Sequence, residues 1–248
     1  GAKVLMLSHM RGHIVDMDRL MTLCDAAGVK VVEDCAHTMG AAWNGTPSGR
    51  FGTVGCYSCQ TYKHINSGEG GFLVTDDAEV AARAIVLSGS YMLYERHGAA
   101  PPPEAFDDIK YTTPNISGRM DNLRAAILRP QIADLDTQCT RWTDRYSVLE
   151  HGLRDPPGLT IVADKVREVV ARCGARGVEL KWFGAAEPVA FTSKYDSWRY
   201  APVPSMPASD RILAGIVDMR VPLTFSEEDC ALIARIIRAE VSAVYQAA

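Results

Sequence analysis

The sequence predicts an α/β fold, because two short apolar runs flank a stretch with helical spacing. The runs cover residues 4–8 and 29–33, and both have the length of buried strands. Between them, apolar residues recur at helical spacing over residues 15–27, and Gly28 ends that pattern. Strand, helix and strand in this order form the opening unit of a parallel α/β layer.

Further elements follow in order along the chain. Residues 55–60 and 71–75 predict two more strands, and Asp76-Asp77 predicts the N-cap of a helix that runs to about Leu87. Residues 98–103 contain three consecutive prolines and predict a surface loop or a substrate lid.

The second part of the chain begins with a long helical stretch over residues 120–153. We expect a break before Pro130 and an end at Pro156-Pro-Gly158. The later predicted elements are a strand at 159–162, a helix at 165–173, a strand at 178–183 and a final helix from Ser226.

The composition excludes several classes of protein. Of 248 residues, 47% are hydrophobic and 23% are charged, as in ordinary globular proteins, and the formal net charge is −4. This charge offers no electrostatic footprint for a nucleic acid or a membrane surface. No run approaches the roughly 18 apolar residues of a membrane span, and no signal-peptide pattern opens the chain. We therefore expect a cytoplasmic protein.

The seven cysteines lie mostly inside apolar segments, and their odd number argues against a disulfide framework. We expect reduced thiols. Cys56 and Cys59 have CxxC spacing, but no second Cys or His pair follows at zinc-finger distance. The sequence therefore predicts no metal site.

Asp34 places a carboxylate at the carboxyl end of a buried strand, where parallel α/β sheets bind their ligands. A buried carboxylate needs a cationic partner. A protonated pyridine nitrogen is such a partner, and an aspartate that keeps it protonated makes the ring an electron sink. The alternative is that Asp34 caps the turn that follows it.

Lys63 follows a predicted strand and precedes a glycine-rich turn at residues 67–71. Burial at such a place favours a neutral, nucleophilic amine. The hydroxyl groups of Ser58 and Ser67, with the backbone amides of the turn, are candidate donors to an anion. The alternative is a solvated surface lysine.

Together these positions closely resemble the DegT/DnrJ/EryC1/StrS family of aminotransferases. The resemblance covers residues 3–135 and is specific, because aspartate, serine, lysine and glycine turn follow in order. The matching positions are Ser8-His9-x-x-Gly12, Asp16-Met17-Asp18, Asp34-x-x-His37, Gly40-Ala41, Gly52-x-x-Gly55, Ser58, Lys63, Gly68-Glu-Gly-Gly71, Arg119-Met120 and Ala125-Ala126.

The resemblance implies an aspartate-aminotransferase-like fold, known as fold type I. Residues 1–135 would form the second half of the large domain that binds pyridoxal 5′-phosphate, with a mixed and mostly parallel sheet. Residues 136–248 would form the interdomain helix and a small α+β domain.

The resemblance also implies roles for single residues. Lys63 would form the Schiff base with pyridoxal 5′-phosphate and shuttle the proton, while Asp34 would bind the pyridine nitrogen and Ser58 the phosphate. His37 matches a position near the ring, with a buried core histidine as the alternative. His9 matches as well, with plain packing as its alternative.

Residues 115–119 depart from the family pattern, which has an asparagine two residues before Arg119 that reaches the phosphate of the neighbouring subunit. Here Ser117 holds that position. Either Ser117 or the displaced Asn115 could bind the cofactor, or the contact is lost. The alternative is an ordinary loop that leads into a helix.

Members of the family also carry an N-terminal segment before the point that matches Gly1, with a phosphate loop and a residue stacked on the cofactor ring. A second gap is expected near residues 162–164, because the family's small domain has a further strand between the strand and the helix that match there. A truncated gene product, a partner chain and a longer parent chain are the explanations that stay open. If the chain starts at Gly1, we expect an unpaired sheet edge, weak cofactor binding and poor stability.

The implied activity is the transfer of an amino group from glutamate or glutamine to a keto sugar, typically linked to a nucleotide, in a homodimer. One alternative is a dehydratase of the same family, but those enzymes have histidine in place of Lys63. The other is a non-catalytic scaffold or a fragment that a partner chain completes.

Overall fold

A computed structural model describes residues 1–89, 94–154, 163–190, 193–200 and 202–246. The chain divides into two compact units, Gly1–Cys139 and Thr140–Ala248. The assignment of residues 1–135 to a cofactor-binding domain and of 136–248 to an interdomain helix and small domain stays a prediction.

The α/β class is confirmed by the sheet of the first unit, which has the order β1-β2-β5-β6. β1, β2 and β5 are parallel, and β6 pairs antiparallel with β5. The strands of the chain are β1 (Val4–Ser8), β2 (Lys30–Asp34), β3 (Ala42–Trp43), β4 (Thr46–Pro47), β5 (Val54–Ser58), β6 (Gly71–Val74), β7 (Lys181–Trp182) and β8 (Val217–Asp218).

The described helices are α1 (Met17–Ala27), α2 (Ala78–Ser88), α3 (Ile109–Thr112), α4 (Asn122–Ala133), α5 (Leu135–Leu153), α6 (Ala163–Ala175), α7 (Pro207–Leu213) and α8 (Glu227–Gln246). In the described part of the chain, no helix combines the length and the apolar character that a membrane crossing requires.

Local sequence signals account for the ends of α1 and α2. Asp16 accepts a hydrogen bond from the backbone N–H of Arg19, and Gly28 ends α1 with φ of 63°. Asp77 caps α2 in the same way, and Gly89 ends that helix with φ of 91°. The two aspartates satisfy N–H groups at the start of each helix, which have no partner inside the helix. The two glycines adopt the left-handed conformation at its end without a Cβ penalty.

The long helical stretch is broken, but not before Pro130 as predicted. Pro130 lies inside α4, and the chain leaves helical geometry at Asp134, which has φ of −100° and ψ of 4°. The missing N–H and the ring of proline therefore disturb the helix without stopping it. The predicted strand at 159–162 and the turn at 156–158 lie outside the described residues.

Each unit has its own apolar core. In the first unit, one cluster joins α2 to the segment around Phe106, and a second contains Cys59, Ile65 and Leu128. In the second unit, α6 and α8 pack through Val166, Val169 and the C-terminal half of α8. The predicted strand at 178–183 shortens to β7.

The outer edge of the sheet is apolar and open among the described residues. β1 is the edge strand, and Val4 and Met6 are 56% and 67% exposed.

Candidate functional site

Strand register brings the predicted site residues to one edge of the sheet. Ser8 at the end of β1 lies opposite Asp34 at the end of β2, and Asp34 lies opposite Cys56 on β5, which ends at Ser58. Because the three strands are parallel, their carboxyl ends meet at the same edge, where ligands of such sheets bind.

Asp34 is half-buried and held at both oxygens. The Ser8 hydroxyl donates to Oδ2 at 3.0 Å, and the backbone N–H of Ala36 donates to Oδ1 at 3.1 Å. A carboxylate oxygen has two lone-pair sites, so each oxygen can accept one more hydrogen bond. Asp34 is therefore oriented and still able to bind a ligand cation. Because Asp34 accepts the N–H of Ala36, it also caps the turn that follows it. The two interpretations of Asp34, as a ligand-binding group and as a turn cap, therefore both agree with this geometry.

The segment from Ser58 to Lys63 forms a tight turn at the end of β5. The Ser58 Oγ accepts from the backbone N–H of Gln60 at 3.2 Å, and the N–H of Lys63 donates to the Gln60 carbonyl at 2.9 Å. No described residue accepts the Ser58 hydroxyl hydrogen, which leaves it available to an anion. Lys63 is half-buried rather than fully solvated.

The glycine turn closes back on this segment. Cys59 and Thr61 donate their backbone N–H groups to the carbonyls of Gly70 and Gly68, and both glycines have positive φ. The Ser67 hydroxyl donates to the Glu69 carbonyl at 2.9 Å, so its hydrogen is used inside the turn. Of the two predicted hydroxyl donors, Ser58 is the available one.

His37 lies close to both Asp34 and Lys63. Burial lowers its pKa most, the charges of Lys63 and Arg11 lower it further, and the charge of Asp34 partly offsets them. The ring is therefore neutral at neutral pH. The structure thus brings Asp34, His37 and Lys63 into one electrostatic neighbourhood.

Asn115 and Ser117 lie elsewhere, on an exposed loop against the end of α2. The N–H of Ser117 donates to the Asn115 Oδ1 at 2.8 Å, and the N–H of Ile116 donates to the Leu87 carbonyl at 3.1 Å. Ser117 has φ of 54°, an uncommon value for a residue with a Cβ. Within the described residues, neither side chain is hydrogen-bonded to Asp34 or Ser58.

Sequence reasoning missed Glu33, a carboxylate of this unit with four hydrogen-bond partners. It is fully buried, and its oxygens accept from the backbone N–H groups of Gly49, Phe51 and Gly52 and from Nε2 of His9. Burial alone would raise the pKa of Glu33, but these hydrogen bonds outweigh burial and lower it. The available signal was an acidic residue on the same strand face as the buried Val31.

This network explains the glycine spacing at residues 52 and 55. A Cβ at Gly52 would lie 2.5 Å from the Val31 carbonyl oxygen, and one at Gly55 would lie 2.4 Å from that of Gly49. The loop can reach Glu33 only because both positions lack a side chain. For His9 the sequence offered two interpretations, a match to the family's site and plain packing. In the structure His9 is buried and hydrogen-bonded to Glu33.

His9, Glu33 and Cys35 have ligand atoms within 4.8 Å of one another, which is metal-ligand spacing. The Glu33 oxygens, however, are taken by the donors described above. Burial raises the pKa of the Cys35 thiol to about 11, so it stays protonated at neutral pH. The three residues form a buried cluster in which Glu33 already holds the backbone of the loop at residues 49–52.

The mostly parallel sheet, with Asp34 at the carboxyl end of β2 and Lys63 in the turn after β5, defines the class of α/β proteins that bind a ligand at the carboxyl ends of their strands. The sequence profile of the DegT/DnrJ/EryC1/StrS aminotransferase family matches residues 2–180. The chain belongs to this family, which confirms the resemblance seen in its sequence.

The L-glutamine:scyllo-inosose aminotransferase of Streptomyces griseus is 33% identical over 148 residues, covering 57% of this chain and 33% of that protein. The 3-amino-5-hydroxybenzoate synthase of Amycolatopsis mediterranei is 32% identical over 168 residues, covering 66% and 40%. The matched stretches thus span less than half of these relatives.

Solved structures share the fold over nearly the whole chain. The aminotransferase TlmJ from Streptoalloteichus hindustanus superposes with a TM-score of 0.76 and 21% identity, covering 98% of this chain and 67% of that one. This likeness confirms the predicted fold class.

The residues present fit pyridoxal 5′-phosphate, the cofactor of this family. Asp34 retains acceptor sites for a ring N–H, Ser58 retains a hydroxyl hydrogen for a phosphate, and Lys63 supplies a half-buried amine. These complementary groups share one edge of the sheet.

Proposed function

We propose that this chain carries the amino-transfer site of a pyridoxal-phosphate-dependent aminotransferase, with Lys63 as the residue that bonds covalently to the cofactor. The observation that carries the proposal is that Asp34 ends β2 at the carboxyl edge of the sheet and that the charges of Asp34 and Lys63 both act on the His37 ring. A scaffold that had lost its chemistry would have no need to keep this set.

Each residue has a role in this proposal that its geometry supports. When bound, pyridoxal phosphate supplies a protonated ring that withdraws electrons from the reacting carbon. Asp34, oriented by Ser8 and the Ala36 N–H, binds the ring N–H. Ser58 donates its hydroxyl hydrogen to the phosphate. Lys63 takes up and returns a proton at Nζ.

We propose glutamine or glutamate as the amino donor and a keto sugar, nucleotide-linked or free, as the acceptor. The support is the name of the Streptomyces griseus relative, which pairs L-glutamine with scyllo-inosose. The Amycolatopsis mediterranei relative is named for an aminobenzoate product, so the relatives do not all share one acceptor class.

We also propose a homodimer in which the loop of Asn115 and Ser117 serves the partner's site. Its support is that the loop is exposed and bonded to the end of α2 rather than to Asp34 or Ser58 in the described chain. Sedimentation should give a dimer. A mixture of Lys63→Ala subunits with subunits lacking both loop side chains should regain activity that neither has alone, and a monomer would contradict the arrangement.

Covalent labelling tests the central proposal. The chain is incubated with pyridoxal phosphate, reduced with borohydride and digested, and the modified lysine is located by mass spectrometry. We expect the label on Lys63 and its loss in Lys63→Arg. Lys30→Arg is the matched control, because Lys30 is exposed at the opposite end of β2 and should not affect labelling.

The outcomes separate the alternatives. Label on Lys63, followed by a spectral change when glutamine or glutamate is added, supports amino transfer and identifies the donor. Label scattered over surface lysines means that this chain has no working site and favours the scaffold.

A further inference from the structure

A main-chain hydrogen bond fixes the protonation of the His37 ring. The backbone N–H of Arg11 donates to Nδ1 of His37 at 2.9 Å. A ring nitrogen that accepts a hydrogen bond carries no hydrogen, so the bond exists only when His37 is neutral and its hydrogen is on Nε2. The Arg11 turn therefore selects one of the two neutral tautomers.

The charges around His37 act in the same direction. Burial lowers the pKa of His37 most, and the charges of Lys63, Arg11 and His64 also lower it, whereas Asp34 raises it. The ring can thus serve as a hydrogen-bond donor at neutral pH without adding a positive charge.

The turn that supplies this N–H is strained. Arg11 has φ of 57° and ψ of 26°, in the left-handed region that residues with a Cβ rarely adopt. The turn is held in place because the N–H of His9 donates to the Asp34 carbonyl at 3.1 Å and the N–H of Gly12 donates to the His9 carbonyl at 3.2 Å. Strain that the surroundings enforce in this way is typical of functional sites.

The other ring nitrogen is available to a ligand. No described residue is hydrogen-bonded to Nε2 of His37, and the nearby cations of Lys63 and Arg11 favour an anionic acceptor.

We propose that Arg11 is a positioning residue whose main-chain N–H holds His37 as the Nε2–H tautomer, so that Nε2 donates to an anionic oxygen of the ligand bound beside Asp34 and Lys63. The identity of that ligand as pyridoxal phosphate rests on the proposed function, whereas the tautomer does not.

Nitrogen NMR on the full chain tests the tautomer without any cofactor. The histidines are labelled with ¹⁵N, and His37 is assigned by the resonance that His37→Gln removes. We expect a neutral ring with hydrogen on Nε2 that stays neutral when the pH falls through the ordinary imidazole pKa of 6.5. Hydrogen on Nδ1, or a charged ring at neutral pH, overturns the proposal.

Arg11→Gly probes the turn itself. Glycine keeps the main-chain N–H and adopts positive φ without strain, so the His37 tautomer should be unchanged although the guanidinium is gone. A switch to the Nδ1–H tautomer in this variant would show that the side chain, and not the main chain, holds the ring.

Two variants of His37 test the donor role through the affinity for pyridoxal phosphate. Asparagine keeps an acceptor near the Nδ1 position but has no group at the Nε2 position, whereas glutamine places an amide there. We expect about a tenfold loss of affinity in His37→Asn and a smaller loss in His37→Gln. Equal losses overturn the donor role. If the unmodified chain binds no pyridoxal phosphate, the donor role fails with the proposed function, and the NMR result still decides the tautomer.

Discussion

The Ser8 hydroxyl on β1 donates a hydrogen bond to Oδ2 of Asp34, directly opposite on β2, across 3.0 Å. The parallel register places the two residues side by side at the strand ends. Ser8 therefore orients the carboxylate that would bind the cofactor ring. It can do so without contacting the cofactor itself.

Ser8→Ala should weaken the binding of pyridoxal phosphate about fivefold, equivalent to about 1 kcal/mol, because Asp34 loses its side-chain donor. Ser8→Thr is the control, since threonine keeps the hydroxyl and suits a strand. Affinity is measured by absorbance titration. Equal affinities in the alanine and threonine variants would show that the bond does not orient Asp34.

Glu33→Gln should lower the free energy of unfolding by about 3–5 kcal/mol. The glutamine amide group would face backbone N–H donors of the loop at residues 49–52, so a buried donor would meet a donor. Urea denaturation measures the change. Glu79→Gln is the matched control, because its exposed pair with Arg83 should contribute less than about 1 kcal/mol. A Glu33→Gln protein as stable as the control would contradict the assigned role of Glu33.

The stability of the first unit should fall in acid partly through His64. Burial, and then the charge of Lys63, hold the pKa of His64 below its ordinary value of 6.5. On acidification the unfolded chain binds a proton at this site before the folded chain does. The stability that neutral His64 contributes to the first unit is therefore fully present above pH 6.5. It is lost as the pH falls through the lower pKa of His64 in the folded chain.

Denaturation at a pH on each side of 6.5 measures this dependence. The loss of stability should be smaller in His64→Gln than in the unmodified chain. His13→Gln is the control, since His13 is exposed. An unchanged acid loss in His64→Gln would mean that other groups account for it.

Gly55→Ala should destabilise the first unit by at least about 2 kcal/mol, because the new Cβ would lie 2.4 Å from the backbone oxygen of Gly49. Gly98→Ala is the matched control, since a Cβ there meets nothing within 4 Å. Its effect should stay within about 0.5 kcal/mol. Denaturation midpoints compare the two variants, and equal midpoints would contradict the close approach.

The sequence by itself determined the places of β1, β2, β5, β6, α1 and α2 along the chain, the end of α1 at Gly28, the N-cap of α2, and the family. The elements and their ends depend on residues close together in the chain, because apolar periodicity, a capping aspartate and a terminal glycine act within one or two turns. The family motif from Asp34 to the glycine turn is longer, but its residues follow in a fixed order and can be recognised without the fold.

Only the tertiary structure decided how the site is supported. The bonds from Ser8 to Asp34, from His9 to Glu33 and from Arg11 to His37 join residues that are 26, 24 and 26 positions apart. They arise because parallel pairing sets β1 beside β2 in one register. Local patterns do not encode that register, nor the left-handed conformation of Arg11, because both result from segments that meet only in the folded chain.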